Sequence, residues 1–389
     1  MFKIQKLNKI SPRGLVLLPS DRYEHAAEIV SPDAILVRSA DMNDMDIPSS
    51  LKAVARAGAG IDNIPIDRCS EKGIVVFNTP GANANGVKEL VLMALFLSSR
   101  KIYDGIAWAK SLKGKGDELP IVIEKDKWNF EGPEIKGKKL GVIGLGAIGV
   151  MVANDAQALG MDVTGYDPFM SEDAAWDLSL AVKKSSSLDS LIASSDYITL
   201  HLPLNDDTRG LIDKERFGLM KKGVRLLNFA RGGLVNNDDL RAAIDQGIVV
   251  CYVTDFPEEE LLNMDNVVPI PHLGASTPES EDNCAVMAVN QLKAFLEMGN
   301  ITDSVNFPEC VMPLGDRNRI IIANRNVPNM IGQISEVLAE NGINISDMLN
   351  RSRGGYAYNI IDIDGNIGES VIERLRSIRD IIMVRYIKR

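Results

Sequence analysis

Four short segments of this chain carry side chains suited to moving a proton and a hydride on a small anion. Only three histidines occur among 389 residues, and two of them, His201 and His272, follow apolar runs. A free imidazole titrates near neutrality, so His272 can take a hydroxyl proton in one direction and return it in the other. Glu260 lies twelve positions earlier and offers a carboxylate that fixes the tautomer and favours the imidazolium. Glu258 and Glu259 adjoin it, so a solvated acidic turn is the rival reading, and the register of the working glutamate stays open. Arg231 ends the apolar run 224–229 and is followed by Gly232 and Gly233. Its guanidinium suits a bidentate grip on a carboxylate while polarising the neighbouring carbonyl oxygen.

A hydride needs a carrier. Gly144, Gly146 and Gly149 form a G-x-G-x-x-G pattern directly after an apolar run and at the start of a helical one. The first glycine makes the turn, the second admits backbone to a pyrophosphate, and the third lets helix lie against strand. The helix N-terminus at Ala147 and Ile148 then faces the phosphates with its free N–H groups and dipole. Asp167 follows the next strand, where a carboxylate accepts the ribose hydroxyls and repels a 2′-phosphate. The expected cofactor is therefore NAD.

A second glycine turn, Gly58-Ala59-Gly60, follows Arg56, and Arg38 ends an earlier apolar run. Turn N–H groups form a nest for an anion, and the extra arginines suggest a substrate with two anionic groups. His201 is read either as a cofactor neighbour or as a packing residue, and His25 as inert in a helical stretch. Trp128 is read as a packing anchor. Cys69, Cys251, Cys284 and Cys310 lack paired metal spacing, so reduced thiols and metal-free chemistry are expected.

These residues need a scaffold that alternates strands and helices. In the first hundred residues strands are expected at 14–19, 34–37, 53–56 and 74–77, with a helix over 87–97. Their continuous apolar character predicts parallel sheets covered on both faces. Further strands are expected at 140–144, 162–166, 197–200, 224–228, 249–253 and 267–269, with helices at 147–159 and 238–246. The apolar helix 284–298 is expected to return to the first domain. The domain reading is thus 1–100, completed by 284–307, for substrate, and 101–283, with the entry crossover, for NAD. A linker over 308–318 leads to 319–389, where strands and helices follow a βαββαβ order. That module carries no obvious base or nucleophile, so regulation or oligomerisation is expected of it.

The formal net charge of -10 argues against a general nucleic-acid binder. No opening apolar leader and no apolar run of membrane-spanning length is evident, so a cytoplasmic protein without membrane insertion is expected.

With those residues in view, the chain resembles the D-isomer-specific 2-hydroxyacid dehydrogenases, in particular the branch that oxidises 3-phosphoglycerate. The resemblance rests on RAGAGIDNI, NTPGANANGVKE, GVIGLGAIG, HLPLNDDTRGLI, NFARGG and PHLGAST, within residues 56–277. It implies an α/β fold of two Rossmann-like, doubly wound domains around a cleft, and a C-terminal ferredoxin-like module similar to an ACT domain. It also implies reversible oxidation of 3-phosphoglycerate to 3-phosphohydroxypyruvate with NAD, at the entry to serine synthesis. The family's arginine, glutamate and histidine fall on Arg231, Glu260 and His272, and its cofactor contacts also include His201, Ala230 and Asp255. Arg38, Arg56, Gly58, Ala59 and Gly60 fall on substrate positions. In ACT-bearing relatives serine binds between modules, and Asn326 and Asn344 match asparagines used there. A homo-oligomer, dimer or tetramer, is implied. Two other readings stay open: a glyoxylate or hydroxypyruvate reductase, and a non-catalytic NADH-sensing corepressor.

Overall fold

The computed structural model describes residues 1–313 and 315–389, so residue 314 of the expected linker lies outside the described residues. The described chain forms two compact units, Met1–Asn83 with Pro278–Arg389, and Ala84–Thr277. In the first unit, β1 (Phe2–Lys6), β2 (Tyr23–Ala26), β3 (Ala34–Val37), β4 (Ala53–Arg56) and β5 (Val75–Phe77) form a parallel sheet in the order β2-β1-β3-β4-β5. Every residue of β3 is buried, which is why its sequence is an unbroken apolar run. Helix Pro278–Met298 lays Ala285, Ala288, Leu292 and Phe295 into the core that holds Ala53, Ala55 and Phe77.

Two local expectations fail here. Residues 14–19 form no strand; Pro12–Leu15 is a helix, started by Pro12 and by the Ser11 hydroxyl, which accepts from the Arg13 amide. A side chain at Gly14 would lie 2.7 Å from the Ala285 backbone, so this short helix touches the long one directly. His25 belongs to β2, not a helix, and pairs with Ile4 of β1.

The second unit holds β6 (Lys139–Ile143), β7 (Asp162–Tyr166), β8 (Lys183–Lys184), β9 (Tyr197–Leu200), β10 (Val224–Asn228), β11 (Val249–Thr254) and β12 (Val267–Pro269). All are parallel, in the order β12-β11-β10-β9-β6-β7-β8. The order reverses between β6 and β9, and in such sheets ligands gather at the carboxyl ends of the two strands flanking that point. Helix Ala84–Ser99 packs Val87, Val91, Ala94 and Leu95 with Leu140, Val142 and Val253. The unit therefore starts at residue 84, not at the expected 101. Residues 101–137 are largely helical, and Trp128 is 64% exposed, so it is not a buried anchor. Among the described residues no helix is long and apolar enough to cross a membrane.

The C-terminal residues return to the first unit. Strands β13 (Asn318–Arg325), β14 (Ile345–Arg353), β15 (Tyr356–Ile363) and β16 (Ile381–Ile387) pair antiparallel in the order β14-β15-β13-β16. Successive residues of a strand face opposite ways. Ile320, Ile322, Ile361 and Ile363 share a core with Ile334 and Leu338 of helix Met330–Glu340 and Leu375 of helix Glu369–Ser377. Their neighbours Ile321, Ala323, Tyr358 and Ile360 join the core of Phe295, Leu296 and Phe307 instead. Fully buried Arg319 donates to both Asp362 oxygens, at 2.6 and 2.9 Å, and to the carbonyls of Met298, Met312 and Pro313. The segment expected to hang on a linker is docked, because both faces of its sheet are apolar.

Candidate active site

The glycine loop after β6 is the most constrained part of the second unit. Gly144 has φ +92°, and a side chain there would lie 2.6 Å from the His201 carbonyl oxygen. At Gly149 an added Cβ would come within 2.0 Å of the Gly144 carbonyl oxygen. Both glycines are thus required by packing. Gly146 is different: it caps helix Ala147–Ala158, and nothing lies within 4 Å of where its Cβ would be. Backbone opening onto free space at a helix N-terminus is what a pyrophosphate requires. Across the loop, Asp167 accepts from the Leu145 amide through Oδ2 and from the Phe169 amide through Oδ1, each at 2.8 Å. These residues fit NAD: glycine backbone for its phosphates and a carboxylate beside the loop for its ribose.

His201 follows β9 at the other side of the switch point. Its Nε2 lies 3.0 Å from the Thr199 hydroxyl, and burial pushes its pKa down to about 3. The ring is therefore neutral and structural, and it is no proton carrier near neutral pH.

At the end of β10 the buried Asn228 organises the arginine turn. Its Oδ1 accepts from the Ala230 amide at 3.2 Å, and its Nδ2 donates to the Arg231 carbonyl at 2.8 Å and to the Tyr252 hydroxyl at 3.2 Å. The Arg231 guanidinium donates to the Ala230 carbonyl at 2.8 Å and lies 6.0 Å from the Phe256 ring. The His272 ring also packs on Phe256, with ring centroids 4.8 Å apart. His272 has φ +40°, a strained value for a side chain with a Cβ, and its amide donates to the Asp255 carbonyl at 3.0 Å. Asp255 itself is 1% exposed: Oδ2 accepts from the Gly274 amide at 3.2 Å, while Oδ1 has no partner. Burial raises its pKa, against the lowering influence of His272, the Gly274 amide and Arg231.

All three glutamates are exposed; Glu258 accepts from Asn237 at 2.7 Å and reaches toward Gly232, and Glu260 lies on helix Glu259–Leu262. Among the described residues no hydrogen bond or ion pair joins Glu260 to His272 or Arg231. Sequence reasoning passed over Asn228, Tyr252, Phe256 and Asn237. A polar Asn228 at the end of an otherwise apolar strand was the one available signal.

In the first unit Arg38 and Arg56 stand at the ends of adjacent β3 and β4. Asn63 links them, accepting from Arg56 Nε at 3.0 Å and donating to the Ala40 carbonyl at 2.7 Å. Asn8 Oδ1 accepts the amides of Arg38, Ser39 and Ala40, which fixes the turn after β3. Arg38 pairs with Glu281 at 2.6 Å. Gly58 lets the Arg56 guanidinium fold over its own turn, since a Cβ there would sit 2.6 Å from Nη1. The turn's carbonyls are already used: Gly58 accepts from the Thr79 amide and Ala59 from Asn78. A concavity of about 610 Å³ along helix Pro278–Met298 contains none of the expected substrate residues. A smaller cavity of about 140 Å³ is lined by Asn324, Asn326, Asn329, Asn350 and Ala357. Asn344 is not near it; it donates to Asp364 beyond the other end of β15.

Residues 92–274 match the family model described as D-isomer specific 2-hydroxyacid dehydrogenase, NAD binding domain. The hydroxypyruvate reductase of Thermotoga maritima is 37% identical over 282 residues, covering 69% of this chain and 85% of that protein. The chain belongs to the D-isomer specific 2-hydroxyacid dehydrogenases. The D-3-phosphoglycerate dehydrogenase of Methanocaldococcus jannaschii is 37% identical over 296 residues, 74% of this chain and 54% of that one. The chain spans about half the length of the curated relatives first matched. Among solved structures, the NAD+-bound 3-phosphoglycerate dehydrogenase of Entamoeba histolytica is similar with a TM-score of 0.60 at 25% identity, over 78% of this chain and 98% of that one. The glycine loop and Asp167 thus lie within the stretch that matches an NAD-binding domain.

Proposed function

We propose that the protein is a D-3-phosphoglycerate dehydrogenase, interconverting 3-phosphoglycerate and 3-phosphohydroxypyruvate at the first step of phosphorylated L-serine synthesis. The observation that carries this reading is the placement of Arg38 and Arg56 at the ends of adjacent strands β3 and β4, with Asn63 accepting from Arg56 Nε and donating to the Arg38 and Ala40 carbonyls, and with Arg38 paired to Glu281. The phosphate falls to Arg38 and Arg56, and the carboxylate and C2 oxygen to Arg231. NAD, when bound, accepts the hydride that leaves C2. His272 takes the hydroxyl proton, and a glutamate of the 258–260 run keeps the resulting imidazolium compensated. Asn228 holds the arginine turn in place throughout, and Phe256 lies near both the guanidinium and the imidazole.

The test is NADH formation from 3-phosphoglycerate and from phosphate-free glycerate, under alkaline conditions with product removal. Arg56→Ala should weaken the phosphorylated substrate far more than the other; equal loss on both contradicts the phosphate role. Hydroxypyruvate reduction is the second reading, favoured by the Thermotoga maritima relative, 85% of which the chain covers. The β13–β16 module we read as ACT-like. Its Asn-lined cavity, with Asn326 at the rim, supports an amino-acid effector such as L-serine. The position of Asn344 at the opposite end of the sheet means that a site using both asparagines would need two chains.

A further inference from the structure

A carboxylate already holds one of the two arginines assigned to the phosphate. Glu281 Oε1 lies 2.6 Å from Arg38 Nη1, and the two side chains are 44% and 35% exposed. Glu281 stands in the first turn of helix Pro278–Met298, where the helix dipole favours a negative charge. Three and four residues on, Cys284 and Ala285 are buried in the core that also holds Leu36 of β3 and Ala53 and Ala55 of β4. Residues at that spacing share a helix face, so the packed face of the helix ends in Glu281, at the strand end that carries Arg38.

The buried Cys284 thiol marks where the charges gather. Burial raises its pKa, Thr79, Arg38 and Arg56 act to lower it, and Glu281 acts to raise it. Two cations and one anion thus surround a single spot. The arginines are held differently there. Arg56 Nε donates to Asn63 at 3.0 Å, and its guanidinium folds over Gly58. Arg38 is held at its guanidinium by Glu281, in a half-exposed pair that exchanges easily. An anion that takes Arg38 from Glu281 brings its own charge beside the released carboxylate, and the repulsion offsets part of the attraction.

We infer that Glu281 is a specificity-determining residue: its carboxylate competes with the substrate's phosphate for Arg38 and sets how tightly the phosphorylated end is held. The inference rests on the reading that gives the phosphate to Arg38 and Arg56. No covalent bond changes in the exchange; one ion pair replaces another. Substrate and product share that phosphate, so the same competition loosens both.

The experiment compares Glu281→Gln with the unaltered full chain on 3-phosphoglycerate and on phosphate-free glycerate, at one low ionic strength. Asp282→Asn is the control: it removes the same charge one residue along, where the carboxylate is held by Arg13 at 3.1 Å and by Ser11. Melting curves and NADH titration first establish that each variant is folded. Glu281→Gln should lower KM for 3-phosphoglycerate and raise kcat/KM on it, relative to glycerate, about threefold to tenfold. Calorimetric binding of inorganic phosphate should tighten by a similar factor. Asp282→Asn should leave both quantities within about twofold. In an Arg38→Ala background the gain from Glu281→Gln should largely vanish, because the two substitutions remove the same pair. A gain shared equally by glycerate, no gain at all, or weaker phosphate binding in Glu281→Gln overturns the inference. The last result would make Glu281 a support for Arg38 and not a rival of the phosphate. Absence of turnover by the unaltered protein on every D-2-hydroxyacid tried overturns the dehydrogenase reading, while the inorganic phosphate titration still decides the competition for Arg38.

Discussion

Asn228 donates to the carbonyl oxygen of Arg231 at 2.8 Å from a fully buried position, so the arginine's turn is fixed from inside the sheet. The same side chain serves the Ala230 amide and the Tyr252 hydroxyl. Replacing it with alanine removes a partner from each of those groups and leaves the Arg231 carbonyl with only the 3.4 Å bond from the Leu234 amide. Asn228→Ala should cost about 1–3 kcal/mol of stability. It should also lower turnover while NADH still binds, because the glycine loop is untouched. Denaturant melts with parallel kinetics check this; wild-type turnover in Asn228→Ala would contradict the positioning role.

Gly149→Ala should abolish cofactor binding. The added carbon meets the Gly144 carbonyl oxygen at 2.0 Å, so the loop must move and the cradle is lost. Gly146→Ala meets no protein atom and should fold normally, yet weaken NADH through collision with the ligand. Fluorescence titration with NADH separates the two effects: Gly149→Ala should show a lowered melting temperature as well, and Gly146→Ala should not.

Arg319→Met should destabilise the protein by roughly 3–5 kcal/mol, because it strands the buried carboxylate of Asp362 and three carbonyl oxygens. Replacing Asp362 by leucine in the same chain removes the stranded charge and should recover part of that loss. Urea melts of the single and double variants decide it. No added cost in the single variant would mean that the C-terminal sheet is not docked as described.

Burial pushes His201 from an ordinary 6.5 down to about 3, so the folded protein refuses a proton that the unfolded chain accepts. That stability is complete above pH 6.5 and is lost as the pH falls from there toward 3, by at most ~1.4 kcal/mol per unit. Stability measured from neutral pH down to about 5 should fall more steeply in the unaltered protein than in His201→Gln, which has no proton to take up. Equal slopes would contradict a buried neutral ring.

Much of the second unit is readable from sequence because burial on both faces makes its strands continuous apolar runs, and glycine marks the loop where a Cβ cannot fit. Strand β1 escapes the same reading: Ile4 alone is fully buried, so Phe2–Lys6 looks polar. The short helix at Pro12–Leu15 is mistaken for a strand because Leu15, Leu17 and Leu18 make a short apolar run that packs on the core lined by helix Pro278–Met298. Docking of the C-terminal sheet does leave a trace. Ile320, Ile321, Ile322 and Ala323 are all buried, and an unbroken apolar run in an antiparallel strand means cover on both sides. The working glutamate cannot be placed by counting, because three identical side chains stand in a row.

The account stands on hydride leaving C2 of the substrate for the nicotinamide while His272 takes the proton. The most direct measurement follows 3-phosphoglycerate carrying deuterium at C2 through a single turnover with NAD. Deuterium should appear at C4 of the reduced nicotinamide in the unaltered protein and be absent with His272→Asn. Tight NADH binding with no transfer of the label from this or any other D-2-hydroxyacid would contradict it, and would leave a nucleotide-binding protein without a reaction.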